Sequence, residues 1–327
     1  MQTRKLGYTD LHLTTIGFGA WAIGGPWDFG WGPQDDAESI ATIQRALDLG
    51  INWIDTAPAY GLGHSEEVVG WAIKGRRDEV IVATKCSLAW DEESGRQRKV
   101  FNRLKAWSVR QEAEDSLRRL GVDVIDLYQI HWPNPDADVE EGWTEIARLI
   151  EEGKVRYGGT SNFSVSQLKR AQAIHSVASL QPPYSLVARA AEDELLPYCA
   201  ANGIGIVCYS PMASGLLTGK FTPERVAALP PDDMRHKNGH FREPELTPNL
   251  QLIEELRPIA ARHGHSVGEL AVAWVLRRPE VTAAIVGARH PRQVAEIAPA
   301  ADWRLSVDDI AAIDAALAAH ARALARA

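Results

Sequence analysis

Cysteine is scarce in this chain: there are three in 327 residues, Cys86, Cys199 and Cys208, and no CxxC pair. So low and odd a count excludes a disulfide framework and a cysteine-built zinc site. It fits a reducing compartment, and a cytoplasmic location is expected. No HExxH and no P-loop appears, and Gly17-Phe18-Gly19-Ala20-Trp21 lacks the third glycine of a GxGxxG turn. These absences set aside a zinc hydrolase, a P-loop nucleotidase and a Rossmann dehydrogenase, and no metal is expected. No run of about 18 apolar residues exists, so no transmembrane helix and no membrane partner is expected. The opening Met1-Gln2-Thr3-Arg4-Lys5 carries no apolar signal region. Charge of one sign is not concentrated either. The net charge of −8 is spread along the chain, which favours solubility and argues against nucleic acid as a partner. Any bound phosphate must therefore find local positive charge.

What is present is alternation. Short apolar, β-branched runs are expected as strands at 15–19, 51–55, 79–85, 124–131, 155–160, 177–181, 204–209 and 282–287. Several are apolar on both faces, as in Val80-Ile81-Val82-Ala83 and Ile204-Gly205-Ile206-Val207, which suits parallel strands covered by helices. Between them lie helix signals: Ser-x-x-Gln or Ser-x-x-Glu at Ser108–Gln111, Ser164–Gln167 and Ser266–Glu269, Gly121 as a terminal cap, and Pro291 in a first turn. Eight such units in a chain with 45% hydrophobic residues predict one α/β domain over 1–327, a (β/α)8 TIM barrel. A small β-hairpin within residues 1–13 turns at Gly7-Tyr8-Thr9-Asp10, and a C-terminal helical extension opens at Ser306 and Asp309. Residues 221–247 break the rhythm with Pro223, Pro230-Pro231, Asp232-Asp233 and Asn238-Gly239; a long loop is expected there, either functional or a plain surface excursion.

Chemistry in such barrels gathers at the carboxyl ends of the strands. Here the strands end in Asp55, Lys85, His131, Thr160-Ser161-Asn162, Gln181 and Tyr209-Ser210, and the last runs into Gly287-Ala288-Arg289. Tyr60 follows Asp55 by five residues. Each residue alone has a structural reading: a turn cap for Asp55, a surface lysine, a satisfied core histidine, a packing tyrosine. Gathered at one mouth, Lys85 and Asp55 would pair, because isolated buried charges are costly. The ammonium would make a neighbouring tyrosine more acidic. That set can protonate a carbonyl oxygen while hydride reaches the carbon.

At these residues the chain resembles the aldo-keto reductase superfamily. The ordered set is Asp-Thr-Ala-x-x-Tyr-Gly, Ala-Thr-Lys, Gln-Ile-His-Trp, Gly-x-Ser-Asn-Phe and Tyr-Ser-Pro-x-x-x-Gly-x-Leu. The tryptophan-rich first loop and Ala57-Pro58-Ala59-Tyr60 look most like the bacterial general-stress branch. The resemblance implies a tetrad: Tyr60 as general acid–base, Lys85 and Asp55 tuning it, and His131 orienting the carbonyl. It implies hydride transfer from NADPH to a small-molecule aldehyde or ketone, reversible toward alcohol oxidation, and NADP(H) preferred over NADH. It places Ser161, Asn162 and Gln181 at the carboxamide and Tyr209 on the nicotinamide ring. Ala20, Trp21 and Asp55 join that cofactor set. Ser210, Pro211, Met212, Ser214, Gly215, Leu216 and Lys220 fall along the pyrophosphate. Gly287, Arg289, Gln293 and Glu296 fall at the adenosine end, with Arg289 facing the 2′-phosphate, a role that suits a forked guanidinium. The family often has Asn after that Glu; here Ile297 stands there, which puts one adenine contact and the strength of the NADPH preference in question.

Trp21, Trp27, Trp31, Trp90 and Trp132 lie on expected loops at the mouth. They would line an aromatic pocket for carbonyls of modest polarity, or some of them would simply plug the barrel. A monomer is the default. Two other readings stand beside the reductase: a nicotinamide-binding regulatory or redox-sensing protein with little turnover, and a cofactor-free isomerase or lyase that uses Lys85 as a Schiff base.

Overall fold

The computed structural model describes residues 1–90, 99–231 and 233–326. The chain opens with an antiparallel hairpin, β1 (Thr3–Lys5) and β2 (His12–Thr14), as expected. The barrel strands follow as β3 (Ile16–Gly19), β4 (Trp53–Asp55) and β5 (Ile81–Cys86). A second hairpin, β6 (Leu88–Trp90) and β7 (Val100–Asn102), interrupts them. The barrel continues with β8 (Ile125–Ile130), β9 (Val155–Ser161), β10 (Ser179–Gln181), β11 (Gly205–Cys208) and β12 (Ala283–Gly287). These eight strands pair in parallel and in chain order, and β12 closes on β3. Each falls on a run that the sequence marks as a strand, with β5 and β9 extending one residue past it, because being apolar on both faces is what a barrel strand requires.

The helices show why the sequence folds this way. The helix Val139–Glu151 buries Val139, Trp143, Ile146 and Leu149 on one stripe, the three-and-four spacing of a helix lying on a sheet. Val267–Leu276 is buried along its whole length, so it reads as apolar all round. Capping boxes at Ser164, Ser266 and Ser306 start their helices, and Gly121 ends one in the left-handed region. The box expected at Ser108 does not form. That helix begins at Ala106, after Lys105, and the Ser108 hydroxyl donates to Glu112 instead. Segment 221–247 is not one bare loop. It holds a short helix at Pro223–Ala227, 3-10 turns at Met234–Lys237 and Gly239–Phe241, and the start of the helix Leu246–Ala261. Asn238, read as a loop signal, is a cap here, as is Thr222. Of its residues, Asp232 lies outside the described ones.

The barrel interior is layered by strand alternation. Trp53, Ala83, Leu127, Val207, Ala283 and Ile285 form an apolar floor, sealed below by Leu6, Leu11 and Leu13 of the first hairpin. Two residues further along their strands, the same inward positions carry Asp55, Lys85 and Gln129. The register places Asp55 beside Ala83, and Lys85 beside Gln129. The floor depends on Gly17: a Cβ there would sit 2.0 Å from the Trp53 ring. Gly17→Ala should therefore lower unfolding stability by about 2 kcal/mol, the usual cost of overpacking a core. A thermal melt against wild type measures it, and an unchanged midpoint would mean that the floor can yield.

Candidate active site

Alternation puts an ammonium inside the barrel, and the surroundings are built to hold it. Lys85 is wholly buried. Its Nζ donates to Asp55 Oδ1 at 2.5 Å, to the Thr56 carbonyl at 2.9 Å and to the Tyr60 hydroxyl at 3.2 Å. Burial still draws the Lys85 pKa below its ordinary value, and Asp55 pulls the other way. The second carboxylate oxygen of Asp55 accepts from Gln181 Nε2 at 2.9 Å and from Gln129 Nε2 at 3.3 Å. The expected Lys–Asp pair is present, with two amides behind it.

Tyr60 reaches this pair from the turn after β4. The turn is tight: Gly61, Leu62 and Gly63 have φ of 64°, 56° and 101°, and a Cβ on Gly61 would fall 1.8 Å from the Gly24 carbonyl oxygen. Glycine is needed there so that the first loop can lie on the tyrosine turn. Thr56 does not cap a helix; its hydroxyl meets that of Ser65, which in turn donates to the Ala20 carbonyl. Burial, and after it the Asp55 carboxylate, pushes the Tyr60 hydroxyl well above its ordinary pKa. The expectation of a more acidic tyrosine is thus corrected. The ammonium is offset by Asp55, and the ring is out of water. His131 follows β8, its ring 5.7 Å from that of Tyr60 and edge-on to it. Its amide donates to the Cys86 carbonyl at 3.0 Å. Desolvation, and then the Lys85 charge, holds the imidazole well below its ordinary pKa, so it is neutral at neutral pH. The four tetrad residues expected from the sequence therefore converge.

A second cluster adjoins them. Ser161 Oγ donates to the Gln181 backbone carbonyl at 2.9 Å. Asn162, left-handed at φ 62°, donates to the His131 carbonyl and to Ser161 Oγ, and its Oδ1 accepts from the Tyr209 hydroxyl at 3.0 Å. Burial raises the Tyr209 pKa to about 12. Beyond Tyr209 the backbone turns left-handed at Ser210, Ala213, Ser214 and Gly215. Pro211 and Leu216 are buried beneath this stretch, and the Met212 carbonyl accepts from Gly215 and Leu217. The Ala213 amide likewise donates to the Ser210 carbonyl, and a left-handed turn of this kind can cradle an anion. Lys220 flanks it and pairs with Glu296 at 3.0 Å. Gly287 ends β12 beside Gly19. The Arg289 amide donates to Gln293 Oε1 at 2.7 Å, so those two meet. Ile297 is buried in the core, which accounts for an apolar residue at that position. The residues present thus fit an elongated, phosphate-bearing ligand with an amide at one end.

The Arg289 guanidinium is already engaged by the first loop. It donates to Gln34 Oε1 at 2.6 Å, to the Trp31 carbonyl at 3.2 Å and to the Pro33 carbonyl. The Arg235 guanidinium lies 4.7 Å over the Trp31 ring and is itself paired with Asp233. The stretch 233–235 therefore reaches the first loop. Trp21 meets Trp31 edge-on at 4.9 Å, and Trp27 lies 5.8 Å from the Tyr60 ring. Trp132 is 44% exposed next to His131, its amide held by Ser87 Oγ at 3.1 Å. Trp90 stands apart from the expectation of a loop residue: it ends β6, beneath the Arg119 guanidinium at 5.9 Å, with no described contact to the tetrad. Sequence reading missed Gln129 and Gln34 as members of the site. Gln129 had a usable signal, the inward alternation Leu127, Gln129 along a strand. Gln34 meets Arg289 only through the fold.

These features agree with what the chain is similar to. A model described as "Aldo/keto reductase family" matches residues 15–318. Aldo-keto reductase YhdN of Bacillus subtilis (strain 168) is 41% identical over 312 residues, covering 94% of this chain and 91% of that protein. The NADH-specific methylglyoxal reductase of Escherichia coli (strain K12) is 36% identical over 320 residues, covering 94% of this chain and 96% of that protein. Among solved structures, the glycerol dehydrogenase AKR11B4 of Gluconobacter oxydans superposes with a TM-score of 0.89 at 40% identity, covering 98% of this chain and 96% of that one. With the family model spanning nearly the whole barrel, the chain belongs to the aldo/keto reductase family.

Proposed function

We propose that this protein reduces aldehydes and ketones to alcohols, reversibly, with Tyr60 as the general acid and NADPH as the preferred reductant. The observation that carries the reading is the buried contact of Lys85 with both Asp55 and the Tyr60 hydroxyl. The bound dinucleotide supplies hydride; everything else falls to the chain. Tyr60 is a neutral acid at working pH because its pKa is raised, so it can give its proton to a carbonyl oxygen as negative charge develops there. The Lys85 ammonium, 3.2 Å away, steadies the tyrosinate left behind. Neutral His131 has one ring N–H to offer the same oxygen. In the oxidative direction Tyr60 receives the proton of the alcohol.

Ser161, Asn162 and Gln181 would hold the carboxamide end, Tyr209 the ring, the left-handed turn 210–215 with Lys220 the pyrophosphate, and Arg289 the 2′-phosphate. NADPH and NADH differ at Arg289 alone in this scheme. A 2′-phosphate must replace the oxygens of Gln34, Trp31 and Pro33 on its guanidinium. A charged phosphate is the stronger acceptor and supports that exchange. The occupied guanidinium favours the second reading, NADH, and a relative is described as NADH-specific. Trp21, Trp27, Trp31 and Trp132 would border the substrate.

Three measurements test this reading. Tyr60→Phe should keep dinucleotide affinity and lower kcat by about 10²- to 10⁴-fold, the range of general-acid catalysis; a kcat near wild type would remove Tyr60 from the reaction. The pH profile of kcat/KM for carbonyl reduction should be flat between about pH 6.5 and 9, since His131 loses its proton below that window and Tyr60 keeps its own above it. An inflection near the ordinary histidine value would place a charged imidazole in the site. Arg289→Ala should weaken NADPH binding, followed by tryptophan quenching, by at least about tenfold more than NADH binding; equal losses would assign the protein to the NADH reading.

A further inference from the structure

An amide buried inside an apolar barrel has to be explained by its partners. Gln129 is fully buried, and space is made for it: a Cβ on the facing Gly159 would lie 3.0 Å from Gln129 Cγ. Its Nε2 donates to Asp55 Oδ2, and its Oε1 accepts from Gln181 Nε2 at 3.3 Å. Gln181 Nε2 also donates to Asp55 Oδ2, at 2.9 Å. An amide nitrogen has two protons, so both of those on Gln181 are assigned inside the barrel. Turning the Gln181 amide over would set its oxygen against a carboxylate oxygen and against the oxygen of Gln129. Two acceptor–acceptor contacts forbid that state. Gln181 Oε1 has no hydrogen-bond partner among the described residues and remains an acceptor.

We infer that Gln129 is a positioning residue for cofactor recognition, fixing the Gln181 amide so that its oxygen accepts from the amino group of a nicotinamide carboxamide. The inference rests on the nicotinamide reading above and adds to it the residue that sets which end of the carboxamide is read. Asp55 alone would orient Gln181 through one hydrogen bond. Gln129 supplies the second, and two points of attachment define a plane where one allows rotation. The donors of Ser161 and Asn162 are already used within the chain, and their oxygens each accept one hydrogen bond, so among the described residues Gln181 Oε1 is the oxygen of the three side chains that accepts none.

The test compares NADP⁺ and NAD⁺ with their 3-acetylpyridine analogues, in which a methyl group replaces the amino group. Dissociation constants are read by tryptophan quenching for wild type, Gln129→Leu and Gln129→Met. Two apolar replacements of similar length guard against one misfolding variant, and circular dichroism checks both. Wild type should bind the natural dinucleotide about five- to tenfold more tightly than its analogue, the worth of one hydrogen bond. In both variants that ratio should fall toward one, with analogue affinity retained. A wild-type ratio preserved in the variants, or equal losses for both ligands, would overturn the role of Gln129. A wild-type ratio of one would also overturn it while leaving the nicotinamide reading in place. Binding of neither ligand by wild type would remove both.

Discussion

A fully buried ammonium is the constraint around which the mouth of this barrel is arranged. Lys85 points inward because strand alternation leaves it no other side, two residues beyond Ala83 in the apolar floor. Removing that charge from water is tolerable only with close partners. The chain supplies a carboxylate, a backbone carbonyl and a phenol at hydrogen-bond distance. Asp55 must in turn be held still, and Gln129 and Gln181 do this from behind. The charge beside the Tyr60 hydroxyl and the scaffold that holds that charge are therefore one hydrogen-bonded layer.

The same burial that makes the layer costly sets its protonation states. Water exclusion raises Tyr60 and lowers His131, leaving two neutral groups facing a common space. A neutral phenol can donate a proton and a neutral imidazole can donate a hydrogen bond, so no further ionisation has to be arranged for a carbonyl. Beneath the layer, Trp53 and its apolar neighbours carry the packing. Floor and mouth thus divide stability from chemistry along the barrel axis, at a boundary only one pleat wide.

Most of this was legible in the sequence because barrel strands advertise themselves twice, by apolar runs and by a reactive residue at the carboxyl end. All eight strands were readable on that basis, with Asp55, Lys85 and His131 at or just past their ends, while Tyr60 came from the family resemblance. The failures share a cause. Ser108 carries the spacing of a capping box, but Glu112 turned to Ser87 and Ser108 inside the fold, a tertiary choice that overrides a local signal. Gln129 looked like one letter of a motif; only the register beside Lys85 shows it as part of the charge layer. The tyrosine shift was misjudged because one neighbour, the ammonium, was weighed without burial or Asp55. Segment 221–247 looked bare because its prolines and Asn–Gly pair mark turns and helix starts equally well.

The contacts around Trp31 show how the periphery depends on the same logic. Arg289 is held by oxygens of the first loop and Arg235 lies over the Trp31 indole. The two guanidiniums therefore meet the same loop. Like charges are not gathered in this way without acceptors between or beside them, and here the acceptors are neutral carbonyls and an amide, with Asp233 serving Arg235. Neutral acceptors are the weaker partners of a guanidinium. Under the proposed function, what a 2′-phosphate would have to replace is set by the first loop as much as by Arg289, because the loop supplies the acceptors that the guanidinium already holds.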